Sequence, residues 1–131
     1  MAADRLISSG GPWESVIGYS RATVAGDYVH VSGSTATIDG ALQHEGDAYL
    51  QTKVTLEQVI APALAQAGYT LADVVRSRIY LSRAEDMDAV GKAHGEIFGE
   101  IRPAATMLAG IQFINPKMLV EIEVDAWRRN N

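Results

Sequence analysis

Three carboxylates near the C-terminus alternate with apolar residues, a spacing that could place acid–base groups on one surface. In "VEIEVDAW" the acids Glu121, Glu123 and Asp125 occupy every second position, which predicts a half-buried strand with all three on one face. Such a row is usually solvated, or paired with cations such as Arg76 and Arg78 on a neighbouring predicted strand. If a partner subunit covers that face, one of these carboxylates becomes a candidate for catalysis or ligand binding.

His94 is the second candidate for acid–base chemistry. It lies on the apolar stripe of a helix predicted from about Ala84 to Glu100. The residues that share this stripe are Met87, Val90, Ile97 and Phe98. His94 could be a packed histidine with one satisfied nitrogen. It could also be a general acid or base at a subunit interface, where a group that titrates near neutral pH is useful.

Two further segments could contact a ligand without supplying charge. Trp13, in "GGPWES", lies in a predicted loop, where it could cap the core or stack on a flat ligand. Ser32 and Gly33, in "VSG", end a predicted strand with a small hydroxyl and a glycine. A bulge or strand end of this kind lets backbone N–H groups face a ligand.

Composition and charge exclude several classes of protein. The 131 residues contain no cysteine, which removes disulfides, thiolate nucleophiles and Cys-ligated metals. His30, His44 and His94 lack the spacing of metal ligands, and no phosphate or dinucleotide motif occurs, so we expect neither a metal nor another cofactor. The net charge of −5 at pH 7 disfavours nucleic acid and anionic membranes as partners.

The organisation of the chain predicts one domain over residues 1–131. No linker or internal repeat divides it, and a single domain suits this length. No signal peptide and no apolar run of about 18 residues is found, so a soluble, cytoplasmic protein is expected.

Hydrophobic periodicity predicts two helices among several strands. The first helix spans Asp47–Ala67, with Asp47 as its N-cap, Gly68 as its left-handed C′ residue and Pro62 as an interruption that could kink it. Its apolar face comprises Thr52, Leu56, Val59, Ile60, Ala63 and Ala67. Strands are predicted within residues 20–34, around a Gly26–Asp27 turn, and over 73–83, 104–111 and 118–127, with a short hairpin near 38–47.

This order of elements predicts an α+β fold, a two-layer sandwich with two helices on one face of a mixed sheet. Along residues 73–83, Val75, Ser77, Ile79 and Leu81 are expected to face the core. Tyr80, Met107 and Ala109 are expected to give the other face apolar surface. Because two helices can cover only one side of the sheet, we expect other subunits to bury that second face.

Taken together, these segments resemble the Rid/YjgF family of reactive-intermediate deaminases (endoribonuclease L-PSP-like proteins), which hydrolyse imines and enamines to carbonyl compounds and ammonia. The resemblance covers nearly the whole chain, and it rests on "GYSRATVAGDYVHVSG", "LAQAGYTLADVVRSRIYL", "RPAAT" and "VEIEVDAW" in this order. It implies a chorismate-mutase-like fold and a homotrimer whose three sheets form a central barrel, with small-molecule ligands in the clefts between subunits.

The resemblance also implies roles for individual residues. Tyr19 matches the family's pocket tyrosine, and Ser32 and Gly33 match the strand end beside the ligand. Glu121 matches the acid that activates or positions the attacking water. Thr106 lies where deaminating members carry the serine or threonine of their Pro-Ala-Arg-Ser or Pro-Ala-Arg-Thr stretch.

Ala105 departs from the pattern of the deaminating members at a position that affects which substrates can bind. In deaminating members the arginine of that stretch forms a bidentate pair with the carboxylate of an amino-acid-derived imine, and Ala105 stands in its place. Loss of a buried bidentate partner costs roughly 2–5 kcal/mol of binding, so ordinary 2-imino acids should be poor substrates. Arg102, which precedes Pro103, is expected to point elsewhere and not to compensate.

Two functions from different classes follow. The first is an enzyme that hydrolyses C=N or enamine bonds, for example on an aminomuconate-like compound. In it Glu121 would position water, and Tyr19 and Thr106 would orient the substrate. Trp13 would stack on the substrate, and His94 or the Ser32–Gly33 backbone would stabilise developing charge. The second is a non-catalytic trimer that binds a small metabolite or a partner protein. RNA cleavage is disfavoured because the chain is acidic and has no basic stripe.

Overall fold

A computed structural model describes residues 5–128. The strands are β1 (Arg5–Ile7), β2 (Ala22–Ala25), β3 (Tyr28–Ser34), β4 (Thr37–Ile38), β5 (Ala41–Leu42), β6 (Val74–Leu81), β7 (Ala104–Leu108) and β8 (Val120–Trp127). Six of them form one sheet in the order β1-β2-β3-β8-β6-β7, and β4 and β5 form a separate hairpin. The helices are α1 (Ala48–Val54), α2 (Ala61–Gln66) and α3 (Met87–Phe98). The predicted α+β class, with two main helical rods and a mixed sheet, is confirmed.

The mixed character of the sheet comes from its edge strand β7. This strand pairs parallel to β6, whereas the other neighbours in the sheet are antiparallel. The predicted turn at Gly26–Asp27 joins β2 to β3, and Gly26 there has a φ of +59°. Strand β1 was not predicted, because three residues are too few to establish an alternating pattern.

The first helical rod spans residues 48–66 and contains a π-helical segment, Thr55–Ile60, between α1 and α2. The Asp47 side chain accepts a hydrogen bond from the Leu50 N–H at 2.9 Å, and Gly68 follows α2 with a φ of +80°. Both predicted ends are therefore confirmed. Pro62 lies in the first turn of α2, directly after the π-helical segment, so its missing N–H removes one hydrogen bond to the carbonyls of that segment.

Three side chains do not face the side of the sheet or helix that the sequence predicts for them. The register between β6 and β8 shifts between Val74 and Arg76, so Val74 is buried in the core and Val75 is 41% exposed. Met107 pairs with Ile79 and packs against the core, since residues opposite one another on neighbouring strands face the same side. Met87 opens α3 and is 44% exposed, because the core begins only one turn later at Val90.

A fully buried glutamine joins the first rod to the loop that precedes β8. The Nε2 of Gln51 donates to the carbonyl oxygens of His44 and Lys117, each at 3.1 Å. Its Oε1 accepts from the Leu119 N–H at 2.9 Å. This clamp fixes the start of the strand that carries the row of carboxylates.

Replacing Gln51 with Ala should lower the free energy of unfolding by about 2–4 kcal/mol, because a buried N–H and two carbonyls lose their partner and a cavity forms. Denaturant unfolding would measure the loss. Gln58→Ala, at an exposed position of the same rod, is the matched control and should stay within about 0.5 kcal/mol of wild type. Equal effects of the two substitutions would contradict the clamp.

Candidate active site

The candidate site is built around a bulge in β3. Between Val31 and Ser34, three steps along β3 match two steps along β8, so the strand carries one extra residue at Ser32–Gly33. Such a bulge interrupts the ladder and leaves backbone groups free for other partners. Of the two arrangements that the sequence allows here, a bulge or a strand end, the structure has the bulge.

Arg21, immediately before β2, occupies this bulge with its guanidinium group. Its Nη1 donates to the carbonyl oxygens of Gly33 at 2.6 Å and Ser32 at 3.3 Å, and to the Ser34 hydroxyl at 2.8 Å. Its Cζ lies 5.7 Å from the ring centroid of Tyr19. The bulge thus presents carbonyls to a cation. The Ser32 N–H is not available to a ligand, because it donates to the Arg21 carbonyl at 3.0 Å.

The Glu121 side chain lies directly against Gly33. A β-carbon at position 33 would be 2.9 Å from Oε2 of Glu121 and 3.0 Å from its Cδ. Real β-carbons do not approach other atoms so closely, so the carboxylate can occupy this position only because residue 33 has no side chain. The glycine is therefore needed here for space.

The surroundings of Glu121 alter its acidity. Partial burial raises the pKa of the Glu121 carboxyl, the charge of Arg21 opposes that rise, and the charge of Glu123 adds to it. The net direction is upward from the ordinary glutamate value. A carboxylate with a raised pKa accepts a proton more readily than an exposed one, which suits a general base.

The other two acids of the row have close partners. The Tyr80 hydroxyl donates to Oε1 of Glu123. Asp125 binds Nδ1 of His30 at 2.7 Å and Nη1 of Arg78 at 3.2 Å. The predicted pairing of the row with β6 is therefore confirmed for Arg78. Within residues 5–128, Glu121 is the one of these three acids that no side chain holds within hydrogen-bond distance.

The segment before β2 supports Tyr19. It forms a short π-helix, Glu14–Gly18, and the Tyr19 N–H donates to the Glu14 carbonyl at 2.9 Å. Burial by itself would raise the pKa of Glu14, but hydrogen bonds from Ser8, Ser9 and Gly11 outweigh it and lower that pKa. The buried Glu14 carboxylate thus ties the preceding loop to the π-helix that leads to Tyr19.

An open cavity of about 630 Å³ adjoins this segment. Its lining includes Leu6, Gly18, Tyr19, Thr23 and Ser32. Glu121 is not among its walls, so the carboxylate lies beside this cavity and not within it. The Ser32 hydroxyl donates to the carbonyls of Ser20 at 2.9 Å and Arg21 at 3.1 Å, which gives it a structural role in holding β2 against β3.

The remaining predicted site residues lie elsewhere in the chain. His94 binds the Ser77 hydroxyl through Nε2 at 2.9 Å, on the helix-covered face of the sheet and not on the face that carries Glu121. Ala105 and Thr106 are on β7, separated from β3 by β6 and β8, or about 14 Å at the usual strand spacing. Trp13 is the N-cap residue of the π-helix that Tyr19 follows, and it is 62% exposed. One chain therefore brings together Tyr19, Ser32, Gly33 and Glu121, whereas His94, Ala105 and Thr106 lie apart from them.

Arg21 is the site residue that the sequence analysis missed. It stands inside the quoted segment "GYSRATVAGDYVHVSG", two residues after Tyr19 and eleven before Ser32. An arginine at the start of a strand that pairs with a Ser-Gly bulge is the signal that could have identified it. Its role depends on the pairing of β2 with β3, which places its side chain against the bulge.

Two general properties complete the description of residues 5–128. No helix there is long and apolar enough to cross a membrane. No group of three or more histidine and acidic side chains in that range is placed to hold a metal ion.

Comparison with known proteins gives consistent matches. The sequence model of the family described as Endoribonuclease L-PSP matches residues 12–128. An uncharacterized protein of Streptomyces coelicolor is 44% identical over 96% of this chain and 93% of its own length. The 3-aminoacrylate deaminase RutC of Acinetobacter baylyi is 35% identical over 79% of this chain and 82% of its own length.

A solved structure agrees with these sequence matches. A member of the YjgF/YER057c/UK114 family from Mycobacterium tuberculosis superimposes with a TM-score of 0.85 at 43% identity. The match covers 96% of this chain and all of that one.

Proposed function

The chain belongs to the Endoribonuclease L-PSP (YjgF/Rid) family, and from this we propose that it hydrolyses imines or enamines that carry no carboxylate on the nitrogen-bearing carbon. The observation that carries the proposal is the Glu121 carboxylate, which lies against Gly33 with a raised pKa and, among residues 5–128, no side chain within hydrogen-bond distance. The 3-aminoacrylate deaminase among its relatives supports it, because the carboxylate of 3-aminoacrylate is one carbon removed from the carbon that bears nitrogen.

The proposed reaction begins with the imine, which an enamine reaches by taking up a proton on carbon. Glu121 accepts a proton from water as the water oxygen bonds to the imine carbon, and passes that proton to the imine nitrogen, giving a carbinolamine. The C–N bond then breaks and its electron pair leaves with nitrogen. The hydroxyl becomes the carbonyl as it gives its proton to Glu121, which delivers it to the departing nitrogen, so the products are one carbonyl compound and one ammonia for each water consumed.

Substrate binding in this proposal requires more than one copy of the chain. In a homotrimer, β7 of one subunit would lie near the bulge of the next, so that Thr106 would face Tyr19 and Glu121 across the cleft. Exposed apolar side chains on the uncovered sheet face, including Tyr28 and Leu108, support such packing. Tyr19 and Thr106 would orient the substrate, Trp13 would stack on its unsaturated part, and the Ser32–Gly33 bulge would fix the position of Glu121.

Two imines that differ only in a carboxylate test the proposal. A flavin amine oxidase acting on phenylethylamine supplies the uncharged imine, and an L-amino-acid oxidase acting on phenylalanine supplies the 2-imino acid with the same skeleton. Semicarbazide trapping then measures the imine that remains with and without the protein. We expect kcat/KM for the uncharged imine to be at least about 10-fold higher, because the carboxylate would lose water without gaining the bidentate arginine that Ala105 replaces.

Other outcomes of this experiment are equally informative. A higher kcat/KM for the 2-imino acid would show that the inference from Ala105 is wrong and that another group holds the carboxylate. If the protein accelerates the decay of neither imine, the proposal that it hydrolyses imines is wrong.

A further inference from the structure

The guanidinium group of Arg21 and the carboxylate of Glu121 both contact Gly33. The Nη1 atom of Arg21 carries two hydrogens and lies within hydrogen-bond distance of three acceptors, which are the carbonyl oxygens of Ser32 and Gly33 and the hydroxyl of Ser34. The shortest of these bonds, at 2.6 Å, is to the Gly33 carbonyl. The Glu121 carboxylate occupies the space where a β-carbon of the same glycine would lie. The position of one residue thus links the two charged groups.

The bulge needs such a donor because strand pairing does not fix its backbone. Between Val31 and Ser34 the register of β3 against β8 is interrupted, so the regular ladder is broken where Gly33 must stay close to Glu121. A guanidinium suits this place, since it is planar, always charged and donates several hydrogen bonds in a fixed geometry. We therefore expect the location of Gly33 to depend on Arg21.

The charges around Glu121 come from three elements. Glu123 lies two residues away on β8, and Tyr80, opposite Glu121 on β6, donates to Glu123. Arg21 approaches from the start of β2, and the bulge of β3 is uncharged. Farther along these strands, the ionisable side chains of the same face are Tyr28, His30, Arg76, Arg78 and Asp125. Burial raises the pKa of Glu121 most, the charge of Arg21 lowers it, and the charge of Glu123 raises it.

The geometry points to Arg21 as a positioning residue for the proposed hydrolysis, which holds the Ser32–Gly33 bulge against Glu121 and keeps that carboxylate ionised at neutral pH. The inference rests on the proposed function, because it takes Glu121 to be the base. Burial by itself favours the neutral acid, which cannot accept a proton from water, and a nearby cation favours the ionised form. Arg21 acts through Gly33 and Glu121 and does not need to touch the substrate.

Two substitutions of Arg21 separate its charge from its geometry. Arg21→Met keeps an unbranched side chain and removes both the charge and the donors, whereas Arg21→Lys keeps the charge without the planar donor group. Semicarbazide trapping of the imine from phenylethylamine gives kcat/KM across the pH range. Arg21→Met should lower kcat/KM at pH 7 by at least about 10-fold and move the acid limb of the profile to higher pH. Arg21→Lys should also lower kcat/KM but leave the acid limb near its wild-type position.

A titration of Glu121 tests the same inference without turnover. Carbon-13 NMR of the Glu121 carboxyl, identified by its absence in Glu121→Gln, should show titration at higher pH in Arg21→Met and at nearly the wild-type pH in Arg21→Lys. Arg76→Gln is the control for charge alone, because Arg76 lies on the same face of the sheet opposite Asp125, and it should leave the titration unchanged. Thermal unfolding shows whether each variant folds, and Arg21→Gln replaces Arg21→Met if the latter does not.

The results that would overturn the inference are specific. Wild-type kcat/KM in folded Arg21→Met would exclude a positioning role. An unchanged titration of Glu121 in that variant, or an equal change in Arg76→Gln, would exclude the electrostatic role. If the protein hydrolyses no imine, the proposed function fails, but the NMR titration still decides whether Arg21 controls the ionisation of Glu121. The two failures are therefore distinguishable.

Discussion

Replacing Glu121 with Gln should reduce kcat/KM for imine hydrolysis by about 10²–10⁴-fold, the usual contribution of a positioned general base. The amide has nearly the same shape and can occupy the space above Gly33, but it cannot accept a proton from water. Semicarbazide trapping of the imine from phenylethylamine measures the loss. The fold should survive, because burial penalises the ionised carboxylate and leaves a neutral amide unpenalised.

The pH dependence of the same reaction has a definite direction. Partial burial raises the pKa of Glu121, so kcat/KM should fall as pH decreases through a value above that of an ordinary glutamate. The stability effect has the opposite sign. A carboxyl whose pKa is raised on folding stabilises the fold when protonated, and this contribution is lost as pH rises through the folded-state pKa. Glu121→Gln should therefore unfold at the same or a higher temperature than wild type at pH 7.

Glu123→Gln is the matched control for this experiment. Glu123 is two residues away on the same strand and face, and its amide can still accept from Tyr80. Activity at neutral pH should persist, while the acid limb of the profile moves to lower pH because one charge that raises the pKa of Glu121 is removed. If Glu121→Gln changes only ligand affinity and leaves the rate of imine decay unaltered, the chain is a binding protein and not a hydrolase.

Gly33→Ala should reduce the same activity by at least about 100-fold while leaving the protein folded. The added β-carbon would lie 2.9 Å from Oε2 of Glu121, so the carboxylate must move, and small displacements of a catalytic group are costly. The φ of Gly33 is not in the positive region, so alanine is compatible with the backbone. Semicarbazide trapping and thermal unfolding on the same samples separate the two effects.

Gly95→Ala provides the comparison for Gly33→Ala. A β-carbon at position 95 meets nothing within 4 Å, and alanine in a helix is more stable than glycine by about 1 kcal/mol. That variant should keep its activity and unfold at a slightly higher temperature. Full activity in Gly33→Ala would show that Glu121 does not need the position seen in the structure.

Local sequence signals predicted much of the architecture because the forces behind them are local. The cap at Asp47, the left-handed Gly68 and the alternation of β8 depend on residues a few positions apart. The errors arose where a distant partner decides the outcome. The register shift between β6 and β8 places Val74 in the core and leaves Val75 exposed. Parallel pairing with Ile79 turns Met107 toward the core.

The sequence by itself determined the family, the order of helices and strands, and the absence of an arginine at position 105, since these need only residue types and their spacing. Only the tertiary structure decided which groups share a site. The pairing of β2, β3 and β8 brings Arg21 and Glu121 to Gly33, and the packing of α3 places His94 on the opposite face of the sheet. The reason is that desolvation and hydrogen bonding act through space. The acidity of Glu121 therefore depends on Arg21, which is 100 positions away in the chain, as well as on nearby Glu123.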